Sequence, residues 1–172
     1  MKEAVLVIDM LNDFISPDGV LYCGKGAREI IPYIKGLIDE KRKEGAIIIF
    51  AKDAHEPDDK EFERFPPHCI KGTKGAEIIK ELKPEKGDYI LEKRRFSAFF
   101  ETSLDEILRR ENIDRVHVVG VCTSICIMET VSELCARDYE IYVHQKGVTD
   151  FDSEAHIFSL RHMKNILGAK IK

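Results

Sequence analysis

Short, continuously apolar runs alternate along the chain with longer segments in which apolar residues recur at helical spacing. The runs predict strands over Ala4–Ile8, Ala46–Ala51, Tyr89–Leu91, Arg115–Val119 and Glu140–His144, with Ala169–Ile171 as an edge strand. The helical spacing predicts helices over Ala27–Lys43, Gly75–Leu82, Ser103–Arg110, Thr123–Arg137 and Asp152–Leu167. Strands that are apolar throughout and alternate with helices are typical of a parallel sheet covered on both faces. The pattern therefore predicts one domain over residues 1–172, an α/β fold with a doubly wound, Rossmann-like and mostly parallel sheet.

Composition narrows the class of protein. The 172 residues are 44% hydrophobic and 34% charged, as in a globular protein, and the net charge of −4 comes from acids and bases mixed along the chain. We therefore expect no nucleic-acid partner, and without a long apolar run we expect no membrane association. Because a strand is predicted to begin as early as Ala4, we expect no signal peptide. With five cysteines, this predicts a cytoplasmic protein with free thiols.

Polar residues follow the ends of the predicted strands. In strand order these residues are Asp9, then Asp53 and His55, then Lys93, Cys126 and His144. Because ligands bind at the carboxyl ends of the strands in such sheets, we expect these side chains to meet there.

The segment Gly120–Cys126 (GVCTSIC) follows the apolar run Val116–Val119 and predicts a strand-to-helix turn. Thr123 is a suitable N-cap, which would place Cys126 in the first helical turn. Unpaired amides and the helix dipole there favour a thiolate, and the same amides could hold a developing oxyanion. The alternative is that Cys126 is a small buried apolar residue.

A second set of residues has the chemistry of metal ligands. Asp53 and His55, two apart in an extended segment, point the same way, and His68 follows after an acidic loop. Two imidazoles and a carboxylate suit a divalent metal, with Glu61 or Glu63 as a further ligand. The alternative is a solvated acidic loop with two incidental histidines.

Two further groups could complete an active site. An acid (Asp9) and a lysine (Lys93) close to Cys126 would give a nucleophile its proton acceptor and charge partner, although a cap and a surface ammonium are the ordinary roles of such residues. Phe14 and Phe96 could sandwich a planar substrate or simply fill the core.

Five blocks of sequence together resemble one family. The blocks are Val7–Phe14 (VIDMLNDF), Lys52–His55 (KDAH), Phe65–Thr73 (FPPHCIKGT), Lys93–Phe99 (KRRFSAF) and Gly120–Cys126 (GVCTSIC). In this order they resemble the nicotinamidase branch of the isochorismatase-like cysteine hydrolases, and the tail His156–Ala169 is similar to bacterial nicotinamidase/pyrazinamidase. The resemblance spans nearly the whole chain and implies the isochorismatase-like hydrolase fold.

The resemblance also implies roles for individual residues. Asp9, Lys93 and Cys126 match a catalytic triad, whereas Asp53, His55 and His68, with Glu61 in some members, match the ligands of one divalent ion, which could be zinc, iron or manganese. The Val121–Cys122 bond matches a position where the family tends to have a cis peptide. Ser124 and Phe96 depart from the aspartate and tyrosine that many relatives carry.

The implied activity is hydrolysis of nicotinamide to nicotinate and ammonia through a Cys126 thioester, as in NAD salvage, with pyrazinamide as another substrate. Phe14, Phe96 and Cys122 would contact the substrate, and the backbone amides of Cys122 and Cys126 would form the oxyanion hole. Relatives often self-associate, so a homo-oligomer is expected.

Three alternatives stay open at this point. The substrate could be another small amide or a ureido compound. The chain could be an inactive binding protein, against which the intact Asp9, Lys93 and Cys126 argue. It could also be a redox or metal-buffering protein that uses Cys122 and Cys126, whose spacing gives no CxxC motif.

Overall fold

Six parallel strands form one sheet. A computed structural model describes all 172 residues. Its strands are β1 (Glu3–Ile8), β2 (Ile47–Asp53), β3 (Tyr89–Lys93), β4 (Arg115–Val121), β5 (Glu140–Thr149) and β6 (Lys170–Ile171). They lie in the order β3-β2-β1-β4-β5-β6, with every neighbouring pair parallel. This is the doubly wound order of Rossmann-like sheets, and the predicted fold class is confirmed.

Helices cover both faces of the sheet. They are α1 (Asn12–Ile15), α2 (Lys25–Glu29), α3 (Ile31–Lys43), α4 (Leu104–Arg110), α5 (Met128–Cys135) and α6 (Ser153–Asn165). Successive residues of β1 point to opposite faces, so Val7 packs in one apolar cluster with α1, α2 and α3, whereas Leu6 packs in another with α4, α5 and α6. None of these helices has both the length and the apolar character needed to cross a membrane.

The sheet changes winding direction between β1 and β4, and a glycine allows these strands to approach there. Gly120 has φ 122°, and a Cβ atom at this position would lie 2.0 Å from the carbonyl oxygen of Ile8. Only glycine fits such a backbone contact. The close approach brings the residue after β1, Asp9, near the chain that leaves β4 toward Cys126.

Two predicted helices are wrong in extent. The helix predicted over Ala27–Lys43 is divided at Ile30 into α2 and α3. Pro32 lies in the first turn of α3, the one place in a helix where its missing amide hydrogen costs nothing.

The segment predicted as a helix over Gly75–Leu82 instead contains two short 3₁₀ turns, Lys74–Ala76 and Lys80–Leu82. Between the two turns the chain is held extended. Ile78 bridges to Leu11, and the flanking backbone hydrogen bonds join this segment to the loop after β1.

The structure also corrects the predicted ends of two other elements. The helix predicted from Thr123 to Arg137 begins with a π-helical turn, Thr123–Ile127, whose N-cap is Cys122. Thr123 is therefore not the cap, and its buried hydroxyl instead contacts His156 Nδ1 at 2.8 Å. His144 does not follow the fifth strand, because β5 continues to Thr149.

Candidate active site

Four of the strand-end side chains meet at the carboxyl edge of the sheet. Lys93 Nζ lies 2.8 Å from Asp9 Oδ2, 2.6 Å from Asp53 Oδ1 and 3.5 Å from Cys126 Sγ. All four residues are buried. The structure thus brings together the acid, the lysine and the cysteine that the sequence singled out.

Backbone contacts fix these side chains in place. Asp9 is the residue directly after β1, and its Oδ1 accepts a hydrogen bond from the backbone amide of Asp53 at 2.8 Å. Asp53 and Lys93 are the last residues of the adjacent strands β2 and β3, where they pair in register. Lys93 Nζ also donates to the carbonyl oxygen of Arg95 at 3.0 Å. The ammonium is therefore held by the sheet and the loop that follows it.

Burial and neighbouring charges set the protonation of the cluster. Burial and the Asp53 carboxylate raise the pKa of Asp9 to about 6, against the opposing effect of Lys93. Burial also acts to raise the pKa of Asp53, but Lys93 and His55 outweigh it and hold that pKa below its usual value. Burial alone would lower the pKa of Lys93, yet Asp53 and Asp9 raise it well above its ordinary value, so Lys93 stays charged.

The resting cysteine is a thiol. Burial raises the pKa of Cys126 well above its ordinary value, and the Asp9 and Asp53 carboxylates add to this effect against the attraction of Lys93. This effect of burial opposes the stabilisation of a thiolate expected from the start of the helix. A proton acceptor is needed to activate the sulfur, and a carboxylate oxygen of Asp9 lies within 4.8 Å of Cys126 Sγ.

The predicted metal ligands form a second cluster beside the first. The nearest ligand atoms of Asp53, His55 and His68 all lie within 4.8 Å of one another. His55 Nε2 is 3.5 Å from Asp53 Oδ2, and Glu61 Oε1 is 3.9 Å from His55 Nε2 and 3.7 Å from His68 Nε2. Glu61 is buried in the cluster, whereas Glu63, the alternative named from sequence, is exposed.

The donors of this cluster fit a divalent metal. His68 Nδ1 is paired with the carbonyl oxygen of Pro66, which leaves Nε2 facing the other ligands. His55 Nε2 and Glu61 Oε2 are buried and have no hydrogen-bond partner. Ligands about 2.0–2.1 Å from a tetrahedral ion are separated by about 3.3 Å, close to the spacings observed here. Imidazole and carboxylate ligands suit zinc, iron and manganese alike.

Asp59 was not selected from the sequence as a functional residue, although its side chain contacts the predicted metal ligand His55. Its carboxylate meets His55 Nδ1 at 3.1 Å and Arg95 Nη1 at 3.0 Å, and it accepts a hydrogen bond from the Glu61 amide. Burial would raise the pKa of Asp59, but that amide, His55 and Arg95 lower it to about 2. The clue in the sequence was weak, because the acidic loop contains several similar carboxylates.

A largely apolar cavity of about 420 Å³ opens beside both clusters. Phe14, Phe96 and Cys122 line it, as expected for substrate-contacting residues. Phe65, Val20 and Phe151 also line it, and sequence analysis did not select them because nothing local separates them from core or surface residues. A cavity of this size and character can bind a small planar molecule.

The helix start contains features that the structure now defines. The Val121–Cys122 peptide is cis, as the resemblance implied. Cys23, for which the sequence offered no partner, lies with its Sγ 3.3 Å from Cys122 Sγ. Ser124, where many relatives carry aspartate, donates its backbone amide to Asp150 Oδ2 at 2.7 Å. A carboxylate from the residue after β5 therefore lies beside this position.

His117 has a structural environment. It lies in β4, and its ring nitrogens contact Glu3 at 3.1 Å and His144 at 2.8 Å, away from both clusters. These contacts indicate a structural role for His117 in the sheet.

Comparison with known proteins places the chain in a family. The isochorismatase domain profile matches residues 3–171. The chain belongs to the isochorismatase family.

Solved structures agree with this assignment. The chain superposes on the nicotinamidase/pyrazinamidase PncA from Bacillus subtilis with a TM-score of 0.94 at 38% identity, over 99% of both chains. It matches N-carbamoylsarcosine amidase from Thermoplasma acidophilum with a TM-score of 0.91 at 34% identity, over 100% of this chain and 96% of the other. It matches the pyrazinamidase of Pyrococcus horikoshii in complex with zinc with a TM-score of 0.94 at 30% identity, over 100% of this chain and 99% of the other. This isochorismatase-like hydrolase therefore has close structural relatives that are named as amidases.

Proposed function

We propose that this chain is a metal-dependent amidase that hydrolyses nicotinamide to nicotinate and ammonia, with Cys126 as the nucleophile. The observation that carries the proposal is that the Asp9–Lys93–Cys126 cluster and the cluster of metal-ligand side chains adjoin one small cavity. The 2.6 Å ion pair between Lys93 and Asp53 joins the two. The similarity to the Bacillus subtilis nicotinamidase/pyrazinamidase supports the choice of substrate.

The cavity has the parts needed to orient a pyridine carboxamide. Phe14 and Phe96 supply apolar surface for a planar ring. The ion held by Asp53, His55, His68 and Glu61 would supply a Lewis-acidic position for the ring nitrogen. The carboxamide would then lie toward Cys126, at the wall of the cavity that Asp9 and Cys126 line.

The first half of the reaction forms a thioester. Asp9 takes the proton of the Cys126 thiol, a transfer suited to a carboxylate whose pKa is about 6, while Lys93 stabilises the thiolate. The sulfur bonds to the amide carbon, and the backbone amides of Cys122 and Cys126 hold the oxyanion. Asp9 returns the proton to the departing nitrogen, the C–N bond breaks, and ammonia leaves.

The second half consumes water. Asp9, again a carboxylate, takes a proton from a water molecule that attacks the thioester carbon. The C–S bond then breaks, the acid product is released, and the proton returns to the Cys126 sulfur. One water is consumed for each amide cleaved.

The nucleophile assignment is tested by comparing Cys126→Ala with Cys135→Ala. Cys135 is half-buried near the end of α5 and does not line the cavity, so it is a matched control for loss of a thiol. We expect Cys126→Ala to release no ammonia from nicotinamide while it keeps its circular dichroism spectrum and bound metal, and Cys135→Ala to keep its activity. Appreciable turnover by Cys126→Ala would refute the assignment.

A carbamoyl or ureido substrate is the second candidate, because the Thermoplasma acidophilum N-carbamoylsarcosine amidase has nearly the same fold. Ammonia release from nicotinamide, pyrazinamide and an N-carbamoyl amino acid separates the candidates. Nicotinamide as the preferred substrate would place the enzyme in salvage of pyridine nucleotides. Location in the cytoplasm and self-association stay predictions.

A further inference from the structure

Asp59 makes three directed contacts around a residue of the proposed metal site. Its Oδ2 meets His55 Nδ1 at 3.1 Å, its Oδ1 accepts from the Glu61 amide at 2.9 Å, and Arg95 Nη1 bonds both oxygens at 3.0 and 3.1 Å. The Asp59 side chain is only 3% exposed. Among the proposed ligand side chains the Asp59 carboxylate contacts only His55, so Asp59 acts on the site through His55.

We propose that Asp59, held by Arg95, is a positioning residue that fixes the tautomer of His55 and so keeps Nε2 free to bind the ion. This inference rests on the metal site of the proposed function. An ionised carboxylate only accepts hydrogen bonds, so a neutral His55 must place its proton on Nδ1. Its Nε2, buried and without a hydrogen-bond partner, then presents a lone pair toward Asp53 and Glu61.

Arg95 couples this device to the proposed catalytic lysine. Its guanidinium holds Asp59, while its backbone carbonyl accepts a hydrogen bond from Lys93 Nζ at 3.0 Å. One residue of the loop after β3 therefore contacts both the ammonium beside Cys126 and the carboxylate behind His55. Its guanidinium is partly exposed, with 36% of the side chain accessible, so its contribution is smaller than that of Asp59.

Asparagine is a sharp test because it changes one oxygen into a donor. In Asp59→Asn the side-chain oxygen can stay toward the Glu61 amide and Arg95, but the NH₂ group then faces His55 Nδ1. That arrangement favours the tautomer with the proton on Nε2, which cannot bind a metal. Turning the amide over would instead direct NH₂ at the donors of Glu61 and Arg95.

The experiment titrates metal-free wild type, Asp59→Asn, Asp59→Ala and the exposed control Asp58→Ala with Zn²⁺ in competition with a chromophoric chelator. We expect Asp59→Asn to weaken Zn²⁺ affinity by about 10–100-fold, at least as much as Asp59→Ala, and Asp58→Ala to leave it unchanged. A role limited to capping the turn at Lys60–Glu63 predicts the opposite order, because asparagine caps as well as aspartate. Affinity unchanged in Asp59→Asn overturns the inference.

A second measurement needs no variant of Asp59. In metal-free wild type at alkaline pH, imidazole ¹⁵N NMR, assigned by comparison with His55→Gln, should show the Nδ1–H tautomer for His55; the Nε2–H tautomer overturns the inference. If wild type binds neither Zn²⁺ nor Fe²⁺ nor Mn²⁺, the proposed metal site fails and this inference fails with it. Tight binding by wild type together with unchanged binding by Asp59→Asn overturns this inference alone.

Discussion

Replacing the buried Lys93 should lower the free energy of unfolding, because two carboxylates at one edge of the sheet lose their positive partner. In Lys93→Met the side chain keeps its approximate volume, but Asp9 and Asp53 lose the ammonium that lies 2.8 and 2.6 Å away. At an effective dielectric constant of about 20, each of these attractions amounts to about 6 kcal/mol. Desolvation of the ammonium offsets much of this, so we expect a net loss of about 3–5 kcal/mol in the free energy of unfolding at pH 7.

The loss should depend on pH in a defined direction. Without the ammonium, the folded-state pKa values of the two carboxyl groups lie above their unfolded values of about 4. The folded variant then binds more protons than the unfolded chain above pH 4, so its stability falls as the pH rises through the raised pKa values. The difference from wild type should therefore be small near pH 4 and full at pH 7.

Urea unfolding of the metal-free proteins at both pH values measures this difference. Lys71→Met is the matched control, because Lys71 forms an exposed ion pair with Glu92 at 3.2 Å and should contribute at most about 1 kcal/mol. A deficit below about 1 kcal/mol for Lys93→Met at pH 7, or an equal deficit at pH 4 and pH 7, would show that the charges assigned to this cluster are wrong.

Three further changes test other parts of the molecule. Gly120→Ala should lower the free energy of unfolding in urea by about 3–5 kcal/mol or prevent folding, because the new Cβ would lie 2.0 Å from the Ile8 carbonyl oxygen. The control is Gly36→Ala in α3, where a Cβ meets no other atom, so this change should be neutral or stabilising. Equal effects at the two sites would contradict the close contact at Gly120. Glu3→Gln should lower the free energy of unfolding by about 1–2 kcal/mol at pH 7. Burial would raise the pKa of Glu3, but Lys41 and His117 lower it to about 2. The stabilisation by the Glu3 carboxylate is therefore present above about pH 4.5 and is lost as the pH falls toward 2. An undiminished Glu3→Gln deficit at pH 2 would argue against this charge pairing. Thr123→Val should lower the free energy of unfolding by about 1–2 kcal/mol, because His156 Nδ1 loses its partner at 2.8 Å. An unchanged melting temperature would contradict this expectation and would mean that water replaces the hydroxyl.

The sequence by itself determined the fold class and the chemistry-bearing residues at the strand ends. The runs that form the cores of β1 and β2 are continuously apolar because both of their faces are buried. The helices show apolar residues at helical spacing because only one face of each is buried. Both are local properties that a sequence displays. Asp9, Lys93 and Cys126 could also be selected from the sequence, because they lie at or after the carboxyl ends of predicted strands, where ligands bind in a parallel sheet.

Only the tertiary structure decided how these groups act on one another. The raised pKa of Cys126 depends on its burial and on the Asp9 and Asp53 carboxylates, which other strands bring close to the sulfur. The role inferred for Asp59 depends on Arg95, 36 residues away along the chain, and the Cys23–Cys122 contact joins residues 99 apart. Distances between such remote positions, and the loss of water around them, arise only when the chain folds, so no local pattern records them.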